Sequence, residues 1–215
     1  MVRRSPPLKH DVKRDMVGLK RLLAAEDLAA FKAGYEKNVA ERSHNKLVLS
    51  LPLAYLSSSE VTGIVGERGE LLGGFVMRYA PPFRCLQAVP DDVQRESPLL
   101  RAVPARDLCE LTCIWRDRRL PTTRFATRVW PGIIARCVRS KRRLILGLGF
   151  DNRMNDTYQV WSPHLIYEGP SAGADTPTSV HVFAFGRARI VANFVTNFAL
   201  QVPVKLLRSR RPPRG

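Results

Sequence analysis

Two strand-like segments joined by a helical one set the tightest limit on how this chain folds. Leu108-Cys109-Glu110-Leu111-Thr112-Cys113-Ile114-Trp115 reads as a strand, and Leu144-Ile145-Leu146-Gly147-Leu148-Gly149-Phe150 is an unbroken apolar run of strand length, as expected for a strand covered on both faces. Between them, residues 123–141 carry Phe125, Val129, Trp130, Ile133, Ile134 and Cys137 at helical spacing, with Pro131 an awkward interruption. The class is α/β, and the expected core is a mixed sheet with helices against it.

The remaining segments fit around this unit. Residues 8–46 read as helical, because Leu19, Leu22, Leu23, Leu28, Phe31 and Tyr35 recur at intervals of three and four. Leu47 to Pro52 looks like a short strand or an extended link. Val61 to Tyr79 reads as two strands around an Arg68-Gly69 turn, and Pro81-Pro82 stops the second. Arg84 to Val89 suggests a further short strand, Asn155 to Leu165 a short helix closed by Gly169-Pro170, and Val180 to Phe185 a last strand. The expected organisation is a basic segment over residues 1–20, one domain over 21–186, and an amphipathic basic tail over 187–215. That tail would dock on the domain, pair two copies as a homodimer, or lie on a membrane surface.

Charge narrows the function. The 215 residues hold 35 Lys and Arg against 19 Asp and Glu, a formal net charge of +16. The bases are blocked rather than scattered: residues 101–143 hold twelve bases and three acids, and eleven of the twelve are Arg. Concentrated guanidinium makes a field that steers polyanions and a fork that fits phosphate or carboxylate. A solvated basic surface without one partner is the plain alternative. No window approaches the roughly 18 apolar residues of a spanning helix, and no apolar stretch follows the charges of the N-terminus, so the expected location is the cytoplasm.

Cys85, Cys109, Cys113 and Cys137 lack paired metal-site spacing and read as buried free thiols, Cys109 and Cys113 on one face of their strand. His164 and His181 are lone histidines in apolar settings, read as structural. No Ser-His-Asp set and no metal-ligand spacing stands out, and no metal or resident cofactor is expected.

The order of elements, with Leu72-Gly73-Gly74-Phe75-Val76-Met77-Arg78, then Pro81-Pro82-Phe83, then Val89-Pro90-Asp91-Asp92-Val93, then Glu110-Leu111-Thr112-Cys113, resembles the GNAT acyltransferase superfamily. Within it, the pattern is most similar to acyl-homoserine lactone synthases and long-chain N-acyl amino acid synthases, over roughly residues 20–170. The resemblance implies a GNAT-like mixed central sheet flanked by helices and splayed between Leu108–Trp115 and Leu144–Phe150. It also implies a cleft where a backbone N–H meets the acyl carbonyl.

By the same resemblance Glu110 acts on the amine directly or through water, Tyr158 protonates the leaving group, and Asn152 contacts the donor arm. Arg116, Arg118, Arg119 and Arg124 would border the donor mouth. Three departures qualify the pattern. Cys113 stands where an Arg is expected, the Phe-Asp pair of the lactone makers has no counterpart before Val61, and Arg116 to Arg124 contains no Gly with which to wrap a pyrophosphate. The expected activity is therefore N-acyl transfer from a carrier-bound thioester or ester to the amine of a small molecule. An acidic acyl carrier protein is favoured as carrier, an aminoacyl-tRNA comes next, and coenzyme A remains open. A non-catalytic nucleic-acid binder is the reading from another class.

Overall fold

The computed structural model describes residues 17–43, 50–150, 164–172 and 179–192. Seven strands form one sheet: β1 (Gly18–Leu22), β2 (Glu60–Val65), β3 (Leu71–Arg78), β4 (Leu108–Arg116), β5 (Leu144–Gly149), β6 (His164–Pro170) and β7 (Ser179–Gly186). Their spatial order is β1-β2-β3-β4-β5-β7-β6. Only β4 and β5 run parallel, and every other neighbouring pair is antiparallel. The strand–helix–strand segment supplies that parallel pair, since a parallel return needs a crossover.

The helices are α1 (Ala25–Arg42), α2 (Leu53–Ser57), α3 (Arg84–Gln87), α4 (Asp91–Glu96), α5 (Pro98–Ala102) and α6, which runs from Thr122–Arg124 through a π turn at Phe125–Val129 into Trp130–Arg139. Pro131 falls just after that turn, in the first positions of the regular helix. Its missing N–H thus breaks no α-helical ladder. Alternation along β3 feeds two cores. Phe75 and Met77 pack with Cys109, Ile133, Cys137 and Phe183 beneath α6, while Val76 packs with Phe31, Tyr35, Val61 and Trp115 beneath α1. A third cluster joins Phe83, Cys85 and Val89 to Leu146, Val182 and Ala184.

Several segments differ from the sequence reading. Residues 18–22 are an edge strand paired with β2, not helix, and the sheet begins inside the stretch read as an N-terminal appendage. Arg84–Gln87 is a helical turn, not a strand. Residues 164 and 165 belong to β6 rather than to the end of a helix. Leu47 to Leu49 and the helix expected from Asn155 lie outside the described residues; residues 50–52 have no regular structure. Of the tail, residues 187–192 are helical and the remainder lies outside the described residues.

The cysteines give a further correction. Cys109 packs on the α6 face and Cys113 on the α1 face. Between Gly74 and Val76, β3 has one residue where β4, from Thr112 to Trp115, has two. Cys113 takes up the extra residue with φ 51, a left-handed conformation rare outside glycine. This bulge reverses the alternation, so a spacing of four no longer means one face.

Candidate active site

β4 and β5 are hydrogen-bonded in register only at Leu108–Leu144, Cys109–Ile145 and Glu110–Leu146. β4 then continues six residues to Arg116 while β5 turns its other edge to β7. The two strands part just before the Cys113 bulge, which re-aims β4. The splay expected between Leu108–Trp115 and Leu144–Phe150 is present. On the α6 side a small apolar pocket of about 30 Å³ sits at the parting. Leu111, Ile134, Gly147 and Phe185 line it.

The other face of the parting is polar. Glu110 and Thr112 alternate onto it. The Glu110 side chain is completely buried, and its two oxygens accept from the backbone N–H groups of Arg84 (2.8 Å) and Cys85 (2.9 Å). A carboxylate on β4 thereby satisfies the open amides at the start of α3. Burial is the main influence on this carboxyl and pushes its pKa up, against the two amides that lower it. Thr112 Oγ1 lies 2.8 Å from Tyr55 Oη. The guanidinium groups of Arg78 and Arg84 stand 5.3 and 5.9 Å from the Tyr55 ring centre, within cation–π range. Arg78 is tied to Ser58 Oγ (2.6 Å) and the Ala80 carbonyl (2.9 Å), and Arg84 to the Ser50 carbonyl (3.0 Å).

Tyr55, Arg78 and Arg84 escape the sequence reading as site residues. Only Arg78 and Arg84, flanking Pro81-Pro82, offer a local signal, and nothing near Tyr55 announces its contact with a strand 57 residues away.

Glu110 anchors a testable energetic claim. Glu110→Gln keeps the shape but sets an NH2 against one of two buried N–H donors. We expect a loss of about 1–3 kcal/mol in urea unfolding. The sign with pH also follows. The folded carboxyl holds its proton above the ordinary value of 4.5, so the parent loses stability as pH rises from there through the raised folded value. The Gln variant should lack that decline; an identical pH profile in both would remove Glu110 as its source.

The arginines expected at the donor mouth are placed by the turn after β4. Arg116 folds its guanidinium back to the Leu120 carbonyl, while Asn38 Nδ2 donates to the Arg116 carbonyl at 2.8 Å. Arg119 forks onto Asp117, with contacts of 3.0 and 2.8 Å, and this holds the Asp117 carboxyl down to about 2. Arg118 is exposed, 3.7 Å from Glu41. Arg124 opens α6. Arg118 and Arg119 therefore share one turn, while Arg116 is spent on its closure.

Three amides of that turn are also occupied. Asp117 N–H donates to the Leu72 carbonyl (2.8 Å), Arg119 N–H to Asp117 Oδ1 (2.8 Å) and Leu120 N–H to the Asp117 carbonyl (3.1 Å). Tyr158 and Asn152 lie outside the described residues. His181 sits 3.7 Å from the Glu168 carboxylate, and among the described residues no cluster of three metal-ligating side chains occurs. All four cysteines are buried free thiols. Burial pushes Cys109 and Cys113 to about 11 and Cys137 to about 12, and raises Cys85 as well.

No protein-family model matches the chain, and no curated protein matches it in sequence. Solved structures do match in shape. FeeM, an N-acyl amino acid synthase from uncultured soil microbes, superposes with a TM-score of 0.63 at 10% identity, covering 83% of this chain and 95% of its own. TofI in an apo form gives 0.53 at 15% identity, over 84% and 95%. A GNAT superfamily phosphinothricin acetyltransferase from Sinorhizobium meliloti, in complex with AcCoA, gives 0.52 at 12% identity, over 79% and 88%. With one parallel pair in a seven-stranded sheet, parted after three register steps, this chain has the GNAT acyltransferase fold.

Proposed function

We propose that this protein is an N-acyltransferase that takes an acyl group from a carrier-bound donor, an acidic acyl carrier protein foremost, and passes it to the amine of a small molecule. The observation that carries this reading is the closed turn after β4. A pyrophosphate cradle needs backbone N–H groups turned outward, yet those of Asp117, Arg119 and Leu120 are bonded within the protein. The segment from Arg116 to Arg124 also has no glycine to let a phosphate approach. Free coenzyme A therefore finds a poor cradle here, and side chains such as Arg118 and Arg119 meet the donor's charge instead.

The acyl chain enters by the small apolar pocket under α6, which widens to take it, and this puts its carbonyl at the parting of β4 and β5. Backbone amides of β4 beyond the last β5 pair serve as oxyanion donors. The amine enters from the polar face. Glu110 is fully buried and bonded to the Arg84 and Cys85 amides and the Cys85 thiol, so its part is to position α3 and Arg84 on the amine side. Glu110→Gln should then lower kcat more than it raises the donor KM.

Salt tests the donor. Arg118→Ala with Arg119→Ala should weaken donor binding several-fold without loss of fold, since both side chains are exposed. With a carrier protein the affinity should fall shallowly with salt. A fall of roughly three or more decades between 50 and 200 mM would instead favour an aminoacyl-tRNA, the reading that +16 recommends. Undiminished binding by the double variant at every salt concentration would remove this turn as the donor site. In the same assay Asp117→Asn should tighten donor binding, because Arg119 then loses the charge and the Oδ2 contact of its internal partner.

A further inference from the structure

The end of the sheet opposite the cleft mouth gathers cations that the transfer reaction does not use. β4 and β5 begin side by side, with Leu108 against Leu144, and β7 ends beside them, with Gly186 against Leu144. The flanking residues are fixed by backbone bonds: Arg143 N–H donates to the Asp107 carbonyl (2.8 Å) and Arg187 N–H to the Arg143 carbonyl (3.2 Å). Arg106, Arg139, Lys141, Arg142, Arg143 and Arg187 thus lie toward one pole with Asp107, while Glu60, reached from Arg142 through Tyr79, is already taken by Arg136. Arg106, Arg139, Lys141 and Arg143 are exposed, and among the described residues none of the four makes a salt bridge.

We infer that this pole is a docking surface for the phosphate backbone of a nucleic-acid duplex. Four considerations point there. Unpaired like charges held together repel one another, so the cluster weakens the fold unless an anion covers it. The dipole of α6 accounts for Arg139 and Lys141 at its C-terminal end, but not for Arg106, Arg143 or Arg187 on other segments.

The third consideration is the shape of the row. It follows three adjacent strand ends over roughly 10 Å, enough to meet several phosphates spaced about 3.4 Å along one strand's axis. The fourth is the absence of what other anions require. A protein partner wants an apolar centre, and among the described residues near this pole only Val138, 40% exposed, offers one. Single strands want stacking aromatics, and none of the exposed large apolar side chains among the described residues is aromatic.

The surface lies at the far end of β4, roughly 26 Å from Arg116. It is therefore separate from the donor mouth, and the inference stands whether or not the transfer reading does.

The test uses the full chain and a labelled 20-base-pair DNA duplex, followed by fluorescence anisotropy from 50 to 200 mM salt. The variant R106Q/K141Q/R143Q is compared with R21Q/K37Q/R68Q, which removes the same charge from β1, α1 and the β2–β3 turn. The pole variant should lose about 2.7 from the slope of log affinity against log salt, and at least 30-fold in affinity at 100 mM. The control should lose less than threefold.

Equal losses in both variants would mean bulk charge alone and overturn the inference. So would an unaffected pole variant, or a parent that fails to bind at 50 mM. Displacement of the duplex by polyglutamate as readily as by unlabelled duplex would mark the surface as one for acidic protein, which also overturns it. Should the triple variant not fold, R106Q and K141Q singly carry the same expectation, each removing about one unit of slope.

Discussion

Gly74→Ala should cost about 3 kcal/mol or more, enough to unfold a domain of ordinary stability. Gly74 lies on β3 opposite Gly63 of β2 and Trp115 of β4. A methyl group there would overlap the Thr62 carbonyl and come within 2.6 Å of the Phe31 ring. Neither can move away. The carbonyl is backbone within β2, and Phe31 is fully buried beneath α1. The contrast is Gly69 in the turn between β2 and β3, where φ is +80 and nothing lies within 4 Å of an added Cβ. Gly69→Ala bears only the conformational penalty of about 1–2 kcal/mol. Urea unfolding of both variants decides the matter, and equal losses would mean that close approach is not what Gly74 provides.

The second large effect concerns the pocket. Ile134→Trp should leave the fold intact, at a cost of about 1–3 kcal/mol for overpacking, while cutting transfer from long-chain donors by roughly a hundredfold. The indole would close the small pocket between α6, Leu111 and Phe185 and block its widening. Four methylenes pushed back into water at about 0.8 kcal/mol each amount to about 3 kcal/mol. That is about two decades in kcat/KM. Donors with acyl chains of two or three carbons should be nearly unaffected. If short and long donors fall together, the pocket does not hold the chain.

How much of this is legible in the sequence depends on how local each signal is. The β2–β3 hairpin can be read because its turn residues and apolar runs are adjacent. β4, α6 and β5 can be read from their own periodicity. β1 cannot, because Leu19 and Leu22 fall at helical spacing by accident and the strand exists only through its partner β2. Arg84–Gln87 reads as a strand because Cys85, Leu86 and Val89 are apolar. What makes it a helical turn is Glu110, 25 and 26 residues away, which accepts from its first amides.

The site shows the same division. Glu110 and the Arg116–Arg124 segment stand out because they lie within or beside legible elements. The internal use of Arg116 and Arg119, the Cys113 bulge, and the meeting of Tyr55 with Arg78 and Arg84 all depend on tertiary contacts. No spacing rule anticipates a bulge, since one inserted residue reverses the face of everything after it.

The four sealed thiols bear on kinetic order. At neutral pH each stays protonated and out of solvent, so none can attack a thioester and hold the acyl group between two half-reactions. Under the proposed transfer, with no cysteine relay, donor and amine are expected to be bound together when the new amide bond forms. Double-reciprocal plots at several fixed amine concentrations should therefore intersect rather than run parallel, and iodoacetamide should leave the native protein's turnover unchanged.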